Sequence, residues 1–393
     1  MHRRFLNEVI GMKKMLMFML ALLTLTGTAC AEEAETLTLF AVNVGKGDAL
    51  LLNAGEHTYL IDTGKAEHWG DLSRALKTMQ IDHLTGVIFT HTDKDHVGGA
   101  MALATSPVRV DGWYASAYYA DVKESKHPVA TAAALCGKKV AWLKAGDSLP
   151  LGDGLLRVVG PMSESKTENC NSLVMIAEGG GGRMLLAGDM EHEEEYELLN
   201  AGVIPKCEVL KVGNHGEGDA TSEALIRYVQ PRIAVISTST QEEPDTPDAR
   251  VLRNLFAVRA DVYETQKAES GVLVTLTGGQ AEARLMNYKA LPALPENIRL
   301  TDREPEEDHI RIRNYGGEAV DLSGWYILSE RGGEMFVLPA GTWVQPGEVV
   351  VISTLSSGQT GDVVWPQKKV WHKSKDDAAM LYDVYGRLVD TLE

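Results

Sequence analysis

The run His91-Thr92-Asp93-Lys94-Asp95-His96 follows directly on the apolar stretch Val87-Ile88-Phe89-Thr90. Four of its six residues carry an imidazole or a carboxylate, and the stretch before it reads as a buried strand. A turn at a strand end can aim several such side chains at one point, and imidazole with carboxylate is a donor set for divalent cations. Taken alone, the run also fits a solvated polar loop. Three other places shift the balance. Asp62 closes Leu60-Ile61-Asp62-Thr63-Gly64, Asp189 closes Leu185-Leu186-Ala187-Gly188-Asp189, and His215 follows Leu210-Lys211-Val212-Gly213-Asn214. Each sits just past an apolar strand and beside or near glycine. One such Asp is usually a turn or cap residue; three, together with the cluster, point to a shared site at strand ends.

Outward from this run, residues 37–42, 49–52 and 58–61 read as a meander of short strands around the turn Ala54-Gly55-Glu56-His57. Residues 71–79 have helical periodicity, with Leu72, Leu76 and Met79 on one side and Asp71 placed to cap them. A second helix is expected to begin over 97–102. Residues 155–159, 172–177, 183–187, 209–212 and 233–237 read as strands, and 191–199 and 221–229 as helices. The four glycines 179–182 lack the Lys-Ser/Thr ending of a phosphate loop and read as a hairpin turn. Alternating strands and helices with meanders between them predict an α/β sandwich. The Pro-rich stretch Leu291-Pro292-Ala293-Leu294-Pro295 is the linker candidate. Beyond it, short strands at 310–313, 325–328, 349–352 and 379–382, separated by glycine turns, predict a small all-β sandwich.

The 393 residues suit two or three domains, and 44% hydrophobic residues supply cores for them. The N-terminus reads as an export signal: Lys13 and Lys14, an uncharged run over 15–25, and small residues at Ala29 and Ala31 that fit cleavage after 31. A lipid anchor at Cys30 is the alternative. The run is short for a membrane span, so no span is expected in the mature chain, which is placed outside the cell or at its surface. The signal carries a net +3, so its removal from a chain of −17 leaves −20. Such a surface repels polyanions at long range. That argues against tight non-specific DNA binding but not against catalysis on a phosphodiester at a local cation site. Cys136, Cys170 and Cys207 show no disulfide framework and read as small buried residues with at most one bridge.

The order of these motifs resembles the metallo-β-lactamase superfamily, and within it the hydrolase domain of the ComEC-type DNA-uptake proteins. The likeness starts at Phe40-Ala41-Val42-Asn43-Val44-Gly45-Lys46-Gly47-Asp48. It runs through Asp62-Thr63-Gly64, His91 to Gly99, Asn169-Cys170-Asn171-Ser172-Leu173, Gly188-Asp189 and Lys211 to Gly216, and closes near Thr265 to Gly271. The implied fold is a four-layer αββα sandwich over residues 36–290. The resemblance implies a divalent-metal cofactor of two ions, manganese or zinc, with magnesium a further candidate. It carries ligation onto His91, Asp93, Asp95 and His96, makes Asp189 the bridging carboxylate and gives His215 to the second ion. Asp95 is also the catalytic candidate, placed to orient the attacking water or take its proton. Asp62 and Asp48 are expected behind the ligands, Asp62 orienting a ligand imidazole. Asp93 stands where the wider superfamily has histidine, a harder oxygen donor that favours Mn²⁺ or Mg²⁺. The third-motif histidine has no counterpart; Asn171 or Ser172 falls there. Asn43, Lys46, Asn214 and Glu217 depart from the family's Asp, Gln, His and Ser. Asn171, Ser172 and Asn214 are therefore the substrate-side candidates.

Val320 to Tyr326 and Leu338 to Thr342 resemble the lamin-tail domain, implying an immunoglobulin-like β-sandwich over 298–393 with a tethering or binding role at a cell surface or polymer. Trp365, Lys368, Lys369, Trp371, His372, Lys373 and Lys375 form a basic, aromatic stretch that suits base stacking or, as the plainer reading, a lysine-protected edge strand. His57, His68, His83 and His127 read as surface or capping residues, and His192, within Glu191 to Glu195, as part of a solvated acidic face. The function expected is a secreted metal-dependent phosphodiesterase or nuclease, with nucleic acid or another phosphodiester as partner. Alternatives are hydrolysis of another ester, amide or lactone, and surface binding with a decayed site.

Overall fold

The computed structural model describes residues 35–121, 127–304, 308–331, 333–357, 361–372 and 376–393. The expected export signal, the anchor candidate Cys30, and Lys373 and Lys375 lie outside the described residues. No helix among these residues is long and apolar enough to cross a membrane.

Fifteen strands build two sheets. In chain order they are β1 (Thr36–Val42), β2 (Leu50–Ala54), β3 (His57–Ile61), β4 (His83–Phe89), β5 (Arg109–Ser116), β6 (Val140–Leu143), β7 (Ser148–Leu151) and β8 (Gly154–Gly160). They continue with β9 (Val174–Gly179), β10 (Gly182–Leu186), β11 (Val209–Lys211), β12 (Ile233–Ile236), β13 (Asp261–Glu264), β14 (Gly271–Thr277) and β15 (Gln280–Met286). One sheet has the order β15-β14-β1-β2-β3-β4-β5-β6, the other β13-β12-β11-β10-β9-β8-β7. The two-residue period of a strand divides its side chains between two cores. Along β1, Leu37, Leu39 and Ala41 enter the core between the sheets, while Phe40 and Val42 face the opposite way. The outward face of the first sheet is covered by helices Trp69–Thr78, Ala100–Thr105 and Pro128–Leu135. Helices His192–Ala201, Glu223–Val229 and Ala249–Ala257 cover the second. The result is four layers, αββα.

The parallel strands matter for function. β3, β4, β5 and β6 run parallel, as do β10, β11, β12 and β13. Asp62, the His91–His96 run, Asp189 and His215 all follow the carboxyl ends of such strands, where open α/β sheets form their crevices.

Beyond the stretch 287–297, which holds no strand or helix, the C-terminal part is all β. Its strands are β16 (Ile298–Glu304), β17 (His309–Asn314), β18 (Val320–Asp321), β19 (Tyr326–Ser329), β20 (Met335–Val337), β21 (Trp343–Val344), β22 (Val349–Thr354), β23 (Val363–Trp365), β24 (Ala379–Tyr382) and β25 (Leu388–Leu392). Sheets β16-β17-β22-β23 and β20-β19-β24-β25 enclose their own core. Trp365 and Trp371 belong to that core, 1% and 4% exposed, with ring centroids 5.8 Å apart at 87°. Their faces are used by packing, which corrects the base-stacking reading: β23 is an edge strand with exposed Lys368 and Lys369 after it.

The sandwich is fastened to the αββα layers. Tyr326 and Val337 join the same core as Trp69, Leu72 and Leu103. Ser73 Oγ donates to Val384 O at 2.8 Å, and Arg74 Nε donates to Tyr385 O at 2.7 Å. Residues 35–393 thus form one compact unit.

Two further expectations need correction. The first helix starts at Trp69, so Asp71 lies inside its first turn and His68 holds the cap position. The acidic run after Asp189 is not a solvated face: Glu194 and Glu195 are buried, because a helix packed by one side turns every third or fourth residue inward.

Candidate metal centre

The His91–His96 run is half turn and half helix. Asp93 has extended backbone and precedes the helical turn Lys94–Val97, which carries Asp95 and His96. Asp189 is reached through Gly188 at φ +53, where an added Cβ would stand 3.1 Å from Ser172 Cβ. Asn214 and His215 both take left-handed backbone, at φ 42 and 52. That conformation costs a non-glycine residue about 1–2 kcal/mol. His215 is held in it by the hydrogen bond from Nδ1 to Ser237 O at 2.8 Å.

These turns converge. His96 Nε2 lies 3.1 Å from Asp189 Oδ2 and 3.3 Å from His215 Nε2. His215 Nε2 lies 3.3 Å from Asp189 Oδ2 and 3.5 Å from Asp95 Oδ2. One donor atom from each of Asp95, His96, Asp189 and His215 thus surrounds a common point. His91 Nε2 stands 3.8 Å from that same Asp189 Oδ2 and 3.6 Å from Asp93 Oδ2. Asp189 Oδ2 therefore lies near three imidazoles. Asp93 is the most open of the six, and Asp95 is partly open.

The residues around this cluster fix its tautomers. Asp62 Oδ2 accepts from His96 Nδ1 at 2.8 Å, and Ser237 O, which can only accept, takes the Nδ1 proton of His215. Both Nε2 lone pairs then point at each other and at Asp189. His91 Nδ1 is within 3.0 Å of Thr90 Oγ1 and 3.2 Å of Ser172 Oγ, while its buried Nε2 and Asp189 Oδ1 have no hydrogen-bond partner among the described residues. Facing lone pairs and orphaned buried acceptors are costly unless a cation or proton joins them. The donor set of imidazole and carboxylate fits divalent cations.

The electrostatics agree. Burial pulls His96 and His215 toward the neutral form, but Asp189 reverses this, with Asp62 helping at His96. His96 lies well above the ordinary imidazole range, and His215 is pushed up to about 9. Burial likewise pushes Asp95 and Asp189 up, and the neighbouring imidazolium charges and hydrogen bonds outweigh it, holding both well below the usual carboxylate range. The pocket stabilises positive charge at its centre.

The remaining candidates separate. Asp48 Oδ2 lies 2.8 Å from Lys211 Nζ, an ion pair buried on both sides, and its Oδ1 is 3.9 Å from His215 Nδ1. Ser172 Oγ, fully buried, links His91 to the backbone N–H of Asp189. Asn171 does not fit the substrate-side expectation: its amide accepts from Ser165 N and donates to Ser165 O and Thr167 O, tying its own loop together. Asn214 Nδ2 donates to Asp219 Oδ1. His127 caps the helix Pro128–Leu135, His83 pairs with Asp111, and His57 accepts from Gly152 N. His68, Glu67 and Glu242 form a separate, more exposed cluster. The cysteines Cys136, Cys170 and Cys207 are free.

Sequence reasoning missed Thr90, Ser237 and Lys211. Lys211 did leave a signal, a lysine inside the apolar strand Val209-Leu210-Lys211-Val212. It also missed that two departures from the family pattern meet: Lys46 Nζ is 2.6 Å from Glu217 Oε1.

Among curated proteins, the chain is similar to ComE operon protein 3 of Bacillus subtilis, 31% identical over 233 residues, covering 54% of this chain and 30% of that protein. It is also similar to Recombination protein 2 of Haemophilus influenzae, 27% identical over 230 residues, covering 57% and 27%. The chain thus spans less than a third of the length of these relatives. Among solved structures, the metallo-beta-lactamase fold protein YhfI from Bacillus subtilis aligns at a TM-score of 0.43 and 13% identity, covering 61% of this chain and 99% of that one. The family described as the lamin tail domain matches residues 295–393, and the metallo-beta-lactamase superfamily matches residues 42–240. With about half of its length matched by that superfamily, the chain belongs to the metallo-beta-lactamase superfamily, with a lamin tail domain match after it.

Proposed function

We propose that this chain is a secreted phosphodiesterase acting on nucleic acid, with a two-cation centre in a hydrolase domain over 36–290 and a lamin-tail-like module over 298–393 that contacts a surface or polymer. The observation that carries the reading is that Asp189 Oδ2 lies 3.8, 3.1 and 3.3 Å from the Nε2 atoms of His91, His96 and His215, with Asp93 beside His91 and Asp95 beside His215. Three carboxylates among six donors suit manganese more than an all-imidazole pocket would. Recombination, the word in one relative's name, supports nucleic acid as the substrate.

Divalent cations bound there supply Lewis acidity toward a phosphoryl oxygen and make water a nucleophile near neutral pH. The chain's own residues do the positioning. Asp95, partly open, accepts a hydrogen bond from the attacking water; as the water oxygen bonds to phosphorus, the P–O bond to the departing alcohol breaks and the proton passes through Asp95 to that oxygen. Asp62 and Ser237 keep His96 and His215 in the tautomer that presents Nε2. Thr90 and Ser172 do the same work on His91.

A second reading, hydrolysis of another ester, amide or lactone, is favoured by the acidic chain. A purified Mn²⁺-loaded chain offered single-stranded DNA and a panel of chromogenic esters separates the two. DNA cleavage abolished in an Asp95→Ala/Asp189→Ala variant is the expected result. Undiminished cleavage by that variant sinks the assignment, and ester turnover without DNA cleavage favours the second reading. A chain that takes up no metal on reconstitution points instead to a decayed, binding-only site.

A further inference from the structure

We propose that Lys46 is the anion-binding residue of this centre, and that Glu217 occupies it until a phosphoryl group of the substrate takes its place. The inference rests on the phosphodiesterase reading for its substrate class, and its geometry stands independently. The turn that carries Lys46 is built onto the cluster. Asp48 N donates to Asp95 O at 3.1 Å, and a Cβ added at Gly47 would stand 2.6 Å from that same oxygen. Lys46 N donates to Glu242 Oε1 at 3.1 Å, which fixes the outer side of the turn. Glu217 comes from the opposite segment: it directly follows the His215 turn, and its N–H donates to Asn214 O at 2.8 Å. The two strips that flank the cation donors thus send one ammonium and one carboxylate to meet at 2.6 Å.

The pair is displaceable. Its side chains are 18% and 31% exposed, so neither is locked into a core. Lys65 is paired with Glu242, and Lys211 with Asp48 inside the protein. Burial pulls the Lys46 ammonium down, but the Glu217 hydrogen bond and the charges of Glu217, Asp95 and Asp189 keep it firmly protonated. The charges of Asp95 and Asp189 as well as Glu217 act on the Lys46 ammonium, and an anionic oxygen that took the position of the Glu217 carboxylate would meet it. A carboxylate is the anion most like phosphate that a protein can supply, and here it fills that position. In a chain of −17 such a local cation offsets the long-range repulsion an anionic substrate meets. A neutral ester has no charge to exchange with Glu217 and draws nothing from Lys46.

The test is calorimetric titration of inorganic phosphate into the Mn²⁺-loaded full chain, in wild type, Lys46→Gln, Glu217→Gln and the double variant. Loss of one charge-assisted contact is expected to weaken phosphate binding about tenfold in Lys46→Gln. Glu217→Gln is expected to tighten it several-fold. The double variant is expected to match Lys46→Gln, because Glu217 acts through Lys46. Lys46→Arg keeps the charge and is expected to retain most of the affinity, which guards against a folding defect. Equal affinity in wild type and Lys46→Gln overturns the proposal, as does tighter binding failing to appear in Glu217→Gln. Hydrolysis is read separately. No DNA cleavage with phosphate affinity still following Lys46 removes the phosphodiesterase reading and leaves this inference. DNA cleavage with wild-type KM in Lys46→Gln removes the inference alone.

Discussion

Asp62 Oδ2 accepts a hydrogen bond from His96 Nδ1 at 2.8 Å, and the same carboxylate accepts from Thr90 N at 2.8 Å and Thr90 Oγ1 at 2.7 Å. Asp62 itself has left-handed backbone, φ 58. Its carboxylate therefore joins the end of β3 to the end of β4 and aims an imidazole from the next turn. Such a partner fixes the ring's tautomer and raises its basicity, and its loss typically weakens metal binding about 10–100-fold. Asp62→Ala is expected to weaken Mn²⁺ binding by that range in calorimetry while the far-ultraviolet circular dichroism keeps its shape. Wild-type affinity in this variant would remove Asp62 from the orienting role.

Gly70 lies in the first helix, where the general preference for alanine over glycine is about 1 kcal/mol. The docked sandwich reverses the sign. A Cβ at Gly70 would stand 2.7 Å from the Tyr326 hydroxyl and 2.9 Å from Gly386 Cα. Gly70→Ala is therefore expected to destabilise the chain by about 1–3 kcal/mol, the usual cost of overpacking. The midpoint of urea unfolding reads it directly. A stabilised Gly70→Ala variant would mean that the sandwich does not press on this helix.

What the sequence made legible follows from local signals. Strand ends with Asp or His beside glycine were visible because each sits at a change from apolar to polar residues, as in Leu185 to Asp189. The contacts across layers were not. Trp365 and Trp371 look like a stacking surface in a basic stretch, and only the partner sheet turns them into core. Glu194 looks solvated in its acidic run, and the helix packing buries it. Lys46 and Glu217 are 171 positions apart, so no local pattern joins them. Tyr326 and Trp69 share a core across the Pro-rich linker, which local composition marks as a boundary.

Glu194 gives a pH dependence. Its carboxyl is buried, neither oxygen has a hydrogen-bond partner among the described residues, and Glu197, Glu195 and Glu191 stand nearby. Burial first, then these like charges, raise it well above its ordinary value of 4.5. A raised folded value means that the native chain holds its proton more tightly than the unfolded chain does. Stability from this group is fully present below the unfolded value and is lost as pH rises through the folded one. Glu194→Gln has no such loss. It is expected to match wild type near pH 4 and to exceed it by about 1–3 kcal/mol at alkaline pH, the cost of an unsatisfied buried polar group. Urea unfolding across pH measures the gap; a gap that is constant with pH contradicts the assignment.

The number of cations is open to a direct count. Asp189 Oδ2 lies near His91, His96 and His215 alike, but His91 has Asp93 beside it, while Asp95, His96, Asp189 and His215 form the tighter cluster. If the two groups hold separate ions, removing a donor of one leaves the other able to bind, and removing the shared carboxylate harms both. His91→Ala is therefore expected to lower the metal content from about two ions per chain to about one, because a site reduced to carboxylates and water binds weakly. Asp189→Ala is expected to fall below one. Elemental analysis after reconstitution with Mn²⁺ and exhaustive dialysis gives the counts. One ion in wild type, unchanged in His91→Ala and lost in Asp189→Ala, would restrict the centre to the Asp95, His96, Asp189 and His215 group and take the His91 side out of the metal chemistry.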